Sequence, residues 1–447
     1  MSAGSSASSV SSAVGRDRVR ALQRVLYCSA KQDPERRFHA VFDKVARSDV
    51  MWRAWSDVRA NKGAPGVDGV SIDAVEKSGV RVFLEELVAE LQAGKYRPSS
   101  LRRVHIPKPG KPGQTRPLGI PTVRDRVVMA AARLVLEPVF EAAFLASSFG
   151  FRPKRSAHMA IEAIRVEANR GGNWVLDADI KACFDEIDHD VLMAEIGRRV
   201  VDRQMLKLLR CWLRAGIFEG GVITEPGSGT PQGSPISPLL ANIALHRLDQ
   251  AWQDERQPVG RLVRYADDFV VVCSTRQQAE DGRRRAAAVL AGLGLRLSPE
   301  KTRIVELTRG NEGFDFLGFH LHKVESWKWR GKWYLQRWPS TRAMNSIRAR
   351  IRQSTDRRYA GLSIDAAVGR LNPVLRGWGN YFRHGNSARK FAQIDSYVHE
   401  RLAILARNKH QRSGRGWATE YNVAWFQRLG VYTLTGSVRY GSANAAR

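Results

Sequence analysis

A chain of 447 residues is too long to close around one hydrophobic core, so two or three domains are expected. Its hydrophobic content of 43% argues against a disordered protein, and a formal charge of +28 calls for a polyanionic partner, nucleic acid first and an anionic membrane surface second. No apolar run approaches the roughly 18 residues that span a bilayer, and four scattered cysteines (Cys28, Cys183, Cys211 and Cys273) suit a reducing compartment better than a zinc site or a disulfide framework.

Residues 1–15 are Ser/Ala-rich, without a charged start and an apolar core, and read as a disordered tail rather than a signal peptide. An organellar transit peptide is the alternative, because no acidic residue precedes Asp17. Arg16 to Arg59 mixes basic and apolar residues at helical spacing until Asn61-Lys-Gly-Ala-Pro-Gly-Val-Asp-Gly69 stops it. A second helical stretch carries Val82, Leu84, Leu87 and Leu91. The segment Arg102 to Pro117 is strongly basic: Val104 and Ile106 alternate as on a strand, a Pro/Gly cluster makes a loop, and the return strand carries Arg116 and Leu118. Such a basic tip suits triphosphate oxygens, or is a solvated loop. Asp125 to Phe144 then reads as a helix with Val128, Ala131, Ala132, Val135 and Val139 on one face.

Trp174 to Ile180 reads as a strand, and its period of two puts Asp177 and Asp179 on the same face. A buried acidic strand end has few structural reasons to exist, which makes Asp179 a candidate functional residue. The Gly/Pro-rich loop Gly227 to Pro238 lacks the Gly-Lys-Ser/Thr ending of a P-loop, but it lets a backbone pass close under a ligand. Gln232 is its longest polar side chain, facing either ligand or water; a helix with Leu240, Ile243, Ala244, Leu248 and Trp252 inward follows. Next, Leu262-Val263 and Phe269 to Val272 flank Asp267-Asp268, a tight hairpin with two carboxylates at its tip. Adjacent aspartates repel, so one takes a raised pKa unless cations lie between them and a third ligand, a need that a hard oxygen-ligated ion such as Mg²⁺ meets. The plain alternative is a solvated turn.

Gln277 to Leu293 is a helix with a basic outer face, Ile304 to Leu307 a strand, Phe314 to Leu321 an aromatic strand, and Trp327 to Trp338 a Trp-rich hairpin. From Arg342 to Arg415 sixteen Lys and Arg face four acids, and three helical patterns run through Met344, Ile347, Ile351, then Ile364, Val368, Leu371, then Phe391, Ile394, Val398, Leu402 and Leu405. A basic helical bundle with Trp378, Tyr381 and Phe382 suits a nucleic-acid clamp, although the aromatics also suit a core.

The order of these parts matches two-metal phosphoryl transfer, in which carboxylates from separate strands bracket two cations about 3.5–4 Å apart. The sequence resembles the reverse transcriptase/maturase proteins encoded by group II introns. The likeness runs from about residue 50 to 412 and rests on Gly63 to Gly69, Ile106-Pro-Lys with Arg116 to Pro121, Phe149-Gly-Phe-Arg-Pro153, Asp179 with Phe184-Asp185, Thr230-Pro-Gln-Gly-Ser-Pro235, Tyr265-Ala-Asp-Asp268 and Phe316-Leu-Gly-Phe319, in that order. It implies an α+β, right-hand polymerase, with fingers and a palm built on an antiparallel sheet, followed by an α-helical thumb/maturase domain. The expected partition is a tail at 1–15, N-terminal extension and fingers at 16–175, palm at 176–335, thumb/maturase at 336–412 and a short C-terminal extension at 413–447.

By this resemblance Asp179, Asp267 and Asp268 are catalytic and hold two Mg²⁺ ions (Mn²⁺ as substitute), joined by the carbonyl of Ile180. Lys108 and Arg116 grip the incoming triphosphate, Gln232 and Gly233 lie against the templating pair and nucleotide, and Phe184 is an aromatic gate that clashes with a 2′-hydroxyl. Lys301 stands where a general acid could protonate pyrophosphate, or is a surface lysine. Leu371 to Phe382 resembles the maturase segment, so Arg376, Trp378, Tyr381, Arg383, Arg389 and Lys390 are expected on intron RNA. The implied function is RNA-directed DNA synthesis with assistance to splicing and retrohoming; the partners are intron RNA, a DNA target or primer and dNTPs, with no membrane and the oligomeric state open. An HNH endonuclease with paired cysteines is not expected, since 37 residues follow His410 and no cysteine follows Cys273. A bacterial, nucleoid-associated cytoplasmic address is expected ahead of an organellar one. Alternatives are a free-standing reverse transcriptase domesticated for defence or diversification, an RNA-binding maturase with little polymerase activity, and an RNA-directed RNA polymerase, against which Phe184 argues.

Overall fold

The computed structural model describes residues 4–107, 113–224, 227–230, 233–253, 259–308, 312–359, 361–409 and 421–439. The chain begins with α1 (Gly4–Gln32), α2 (Phe42–Val45), α3 (Ser48–Ala60), α4 (Ile72–Ser78) and α5 (Val80–Gln92). Residues 4–15, expected as a disordered tail, are instead the first turns of α1. Alanine is the best helix former and no proline interrupts the stretch, so its backbone simply continues the amphipathic helix that follows. A basic hairpin comes next, β1 (Leu101–Pro107) and β2 (Thr115–Ile120), then α6 (Val123–Glu141) and α7 (Ala157–Asn169). Helix α6 is buried on nearly every side, the pattern of a helix inside a core rather than on it. Helices α1, α2 and α3 pack around it.

The middle of the chain supplies β3 (Trp174–Asp179), the short α8 (Cys183–Glu186), α9 (His189–Gly197), α10 (Arg203–Leu213), β4 (Ile217–Glu219) and β5 (Val222–Thr224). There follow α11 (Ser237–Ala251), β6 (Arg261–Tyr265), β7 (Asp268–Cys273), α12 (Arg276–Ala291) and β8 (Arg303–Glu306). Strands β6-β7-β3-β8 form an antiparallel sheet, while β2-β1-β4-β5 form a second in which β4 runs parallel to β1. Leu176, Phe269 and Val271 join the core under α11 and α12; Val175, Val263, Val270 and Val272 join the core on the other face. The central strands are therefore buried on both sides, which is why Phe269 to Cys273 reads as an unbroken apolar run rather than an alternating one.

Phe314 to Leu321, expected as one strand, is two: β9 (Phe314–Phe316) and β10 (Phe319–Glu325) pair across Leu317-Gly318. Both turn residues have positive φ, 49° and 80°, the geometry of a tight hairpin turn, and glycine makes the second cheap. Strand β11 (Trp333–Pro339) pairs with β10, so the Trp-rich segment is a loop and one strand rather than a hairpin of its own. Helices α13 (Thr341–Ser354), α14 (Ile364–Phe382) and α15 (Ala388–Lys409) bury every apolar residue the helical spacing assigned to them. Residues 421–439, set apart at sequence level as a C-terminal extension, pack on this bundle through α16 (Val423–Arg428) and the fully buried Leu434. The Asp395 carboxylate accepts from the Leu434 and Thr435 amides at 2.9 and 2.8 Å and from the Thr435 hydroxyl at 2.6 Å.

One buried carboxylate ties the basic hairpin to the core. Asp125 at the start of α6 accepts from the Tyr96 hydroxyl at 2.6 Å, the Thr122 hydroxyl at 2.7 Å and the Ser99 amide at 3.1 Å. Burial raises its pKa and the three donors oppose that rise. Asp125→Ala orphans these donors, so thermal denaturation should show a loss of about 2–4 kcal/mol.

Candidate active site

The β3–β7 ladder sets Asp179 directly opposite Asp268, and the β6–β7 ladder sets Tyr265 opposite Asp268. Asp267 lies in the turn between β6 and β7. The three carboxylates therefore meet at one end of one sheet, although Asp267 lies 88 positions after Asp179 in the sequence. Asp177, two residues back, shares the face of Asp179 and accepts from the Arg303 Nε at 3.1 Å. Lys301 donates from Nζ to the Asp179 Oδ2 at 2.6 Å.

Crowding of like charge marks the cluster. Burial among surrounding protein, then the Asp267 charge, then a hydrogen bond with the Asp179 carboxyl push the Asp268 pKa up to about 7. Burial and the Asp179 charge raise Asp267 as well, while Arg116 and Lys301 pull it down. Beneath them the buried Cys183 thiol is pushed up to about 12, chiefly by burial and then by Asp267. Among the described residues, no three or more His, Cys, Asp or Glu side chains are already drawn together as a metal cage. The Lys301 ammonium against Asp179 offsets part of this repulsion. The donor set still fits a hard divalent ion, being all oxygen and multiply acidic.

A buried strut holds the turn from behind. Arg264, fully buried in β6, forks onto Asp249 of α11 at 2.8 and 2.5 Å, and its Nη1 also donates to the Asn242 Oδ1 at 3.0 Å and the Ala266 carbonyl at 2.9 Å. Asn242 in turn donates to the Gly150 carbonyl at 2.9 Å. Burial alone would raise the Asp249 pKa, yet the Arg264 guanidinium holds it below the usual carboxylate range. Gly150 touches the turn itself: a Cβ there would come within 2.3 Å of the Ala266 nitrogen. Arg264, Asp249 and Asn242 were not singled out from the sequence. Their partners are 15 and 22 residues apart, and only the buried charge in the run Arg261 to Tyr265 hinted at them.

Arg116, on exposed β2, is close enough to Asp267 to lower its pKa. Phe184 is half-buried on the margin of the core and lines a cavity of about 380 Å³ with Asp185, Gly229 and Thr230 on its side and Arg103, Pro117 and Gly119 across. Gly233, with φ +106°, backs onto β2; a Cβ would meet the Gly119 carbonyl at 2.8 Å, so glycine is required there by packing alone. Ile180 is buried and bridges to Leu297. Lys108 and Gln232 lie outside the described residues.

The expected RNA contacts divide. Tyr381 donates its hydroxyl to the Leu317 carbonyl at 2.8 Å and packs on Phe319 and Phe382, and Trp378 packs on Phe382 and Phe391. Both rings are half-buried: Tyr381 joins the bundle to the sheet, while Trp378 packs within the bundle. Arg376 and Arg389 are exposed, Arg376 lying 5.4 Å from the Tyr432 ring, while Arg383 and Lys390 are half-buried.

Residues 106–321 match the family described as reverse transcriptase (RNA-dependent DNA polymerase), and residues 344–422 match the group II intron, maturase-specific domain. Protein YkfC of Escherichia coli (strain K12) is 35% identical over 343 residues, covering 68% of this chain and 88% of that protein. Group II intron-encoded protein LtrA of Lactococcus lactis subsp. cremoris is 38% identical over 213 residues, 48% of this chain and 35% of LtrA. A 91 kDa protein in the cob intron of Schizosaccharomyces pombe is 27% identical over 433 residues, 80% of this chain and 52% of that protein. The alignment thus spans most of YkfC but about a third of LtrA and half of the fission-yeast protein. Fold and first match define an RNA-directed DNA polymerase. With the second match, the chain belongs to the group II intron-encoded reverse transcriptase/maturase family. Divalent metal ions are general to reverse transcriptases, and among the described residues no helix is long and apolar enough to cross a membrane.

Stability should register the crowded carboxylates. The folded state keeps the Asp268 proton up to about pH 7, whereas the unfolded chain releases it near its ordinary 3.8. The folded state therefore binds more protons, and this group's contribution to stability falls as pH rises through that window. In metal-free buffer Asp268→Asn should melt higher than the parent at pH 8, the gap closing as pH falls toward 4. Scanning fluorimetry across pH checks it, and added Mg²⁺ should raise the parent's melting temperature most at the alkaline end.

Proposed function

We propose that Asp179, Asp267 and Asp268 are the catalytic carboxylates, that with the Ile180 carbonyl they hold two Mg²⁺ ions, and that the protein copies its own intron RNA into DNA. The observation that supports this most is the pairing of Asp179 opposite Asp268, with Asp267 in the adjoining turn. When bound, the ions would lower the pKa of a primer 3′-hydroxyl and neutralise the charge on leaving pyrophosphate.

The protein's own groups take the remaining tasks. Arg116 and Lys108 grip the triphosphate, and Gln232 and Gly233 border the templating pair. Lys301, whose ammonium is 2.6 Å from the Asp179 Oδ2, gives a proton to pyrophosphate. Phe184 sets its ring against the sugar, where a 2′-hydroxyl would collide with it. Arg376, Arg383, Arg389 and Lys390 meet intron RNA phosphates, and this contact assists splicing and retrohoming. Fingers (16–175), palm (176–335) and thumb/maturase (from 336 onward, with 421–439 packed on it) divide the work, in a bacterial cytoplasm beside the nucleoid.

Primer extension on a poly(rA) template with Mg²⁺ tests the carboxylates. Asp267→Ala should cut DNA synthesis by at least about a thousandfold while filter binding of intron RNA stays near that of the parent. Retained extension by that variant would falsify the metal assignment. For the gate, Phe184→Val should raise ribonucleotide incorporation by roughly ten- to a hundredfold. Unchanged sugar selectivity in single-nucleotide kinetics would leave the ring as mere packing.

A further inference from the structure

The β10–β11 hairpin ends in Ser326-Trp-Lys-Trp-Arg-Gly-Lys-Trp333, and its rings are in water. Trp327 is 91% exposed, Trp329 57% and Trp333 41%. Large aromatics normally contribute burial, so three at one exposed tip point to a partner. We propose that this tip is a docking site for unpaired RNA, with the tryptophans stacking on bases and the interleaved cations meeting the phosphates.

The loop is formed, not frayed. Ser326 N donates to the Lys332 carbonyl at 2.8 Å, Lys332 N to the Trp329 carbonyl at 3.2 Å, Trp329 N to the Ser326 Oγ at 3.2 Å and Gly331 N to the Glu325 Oε1 at 2.7 Å. Gly331 supplies the positive φ, +78°, that the turn requires. The Lys328 and Lys332 ammoniums lie 5.0 and 5.5 Å from the Trp329 ring centroid, so cation and ring are presented as one surface. Aromatic groups continue down the outer face of the sheet: His320 and His322 lie 5.3 and 6.1 Å from Trp338.

Position separates this tip from the catalytic end. Lys323 donates to the Asn173 side chain at 2.6 Å and Leu335 N to the Asn169 side chain at 2.8 Å. Asn173 immediately precedes β3, whose opposite end is Asp179, so the tip lies past the far edge of the catalytic sheet. The strand β10 alone spans about 20 Å at ~3.3 Å per residue. A nucleic acid on the tip is therefore beyond the reacting nucleotide.

Chemistry favours RNA over a lipid surface. Between Ser326 and Trp333 there is no aliphatic side chain to enter a bilayer; instead rings and cations alternate. Such alternation matches bases and phosphates of a single strand. The chain's +28 charge is complementary to the same partner, and β11 runs directly into the helices that match the maturase-specific domain.

The test uses the full chain with a short single-stranded oligoribonucleotide carrying 4-thiouridine. Ultraviolet crosslinking followed by peptide mapping should place adducts in the 326–333 segment. Trp327→Ala with Trp329→Ala should remove those adducts and weaken affinity about tenfold or more, as expected for two lost stacking platforms. The Phe pair at the same positions should keep most of the binding. Primer extension on a short hybrid should be unchanged in both variants, which separates failure here from failure of the polymerase reading. Absence of adducts in this segment, or unaltered affinity in the Ala pair, overturns the proposal. So does loss of binding to phosphatidylserine vesicles in the Ala pair with RNA affinity intact.

Discussion

Everything in the active end depends on the register between β3 and β7. Side chains on a strand alternate faces, so sliding one strand by a single residue would send Asp179 and Asp268 to opposite sides of the sheet. The register is held by apolar contacts on both faces, since Leu176 and Val271 belong to one core and Val175 and Val270 to the other. A slip would exchange the side chains that fill the two cores, so the fit of both cores opposes it. The hydrophobic core is thus what aims the carboxylates.

The same end of the sheet concentrates unfavourable charge. Asp177 and Asp179 each have a basic partner, Arg303 and Lys301, whereas the Asp267 and Asp268 pKa values are raised by burial and by the neighbouring acids, with Arg116 and Lys301 opposing the rise. Such a turn would relax if it were free to do so. The buried Arg264–Asp249 pair, with Asn242 and Gly150 behind it, removes that freedom by pinning the Ala266 carbonyl. A buried ion pair is rarely a gain in stability over apolar packing, but breaking one is costly, and here it fixes the position of the acids. The strut thus supplies rigidity, and the turn it holds carries the crowded charge.

Much of this was readable in the residues. Period-two spacing put Asp177 and Asp179 on one face, the hairpin around Asp267-Asp268 followed from its flanking apolar runs, and the three helical patterns after Arg342 are buried as spaced. What stayed hidden was long-range or depended on context. The Arg264 strut joins residues from two elements, and no local pattern announces a salt bridge inside a core. Leu317-Gly318 looked like the middle of a strand, because a single Gly in an aromatic run does not say whether it bulges or turns. Trp378 and Tyr381 suited either RNA or a core, and helical spacing does not show that the Tyr381 hydroxyl donates to the Leu317 carbonyl of the neighbouring sheet.

The most direct test of the convergence is anomalous diffraction from crystals soaked in Mn²⁺ with a primer–template and a non-hydrolysable nucleotide. Two peaks within bonding distance of carboxylate oxygens from Asp179, Asp267 and Asp268 are the expected result. Ions bound elsewhere, with these three side chains empty of density, would contradict the account at its root.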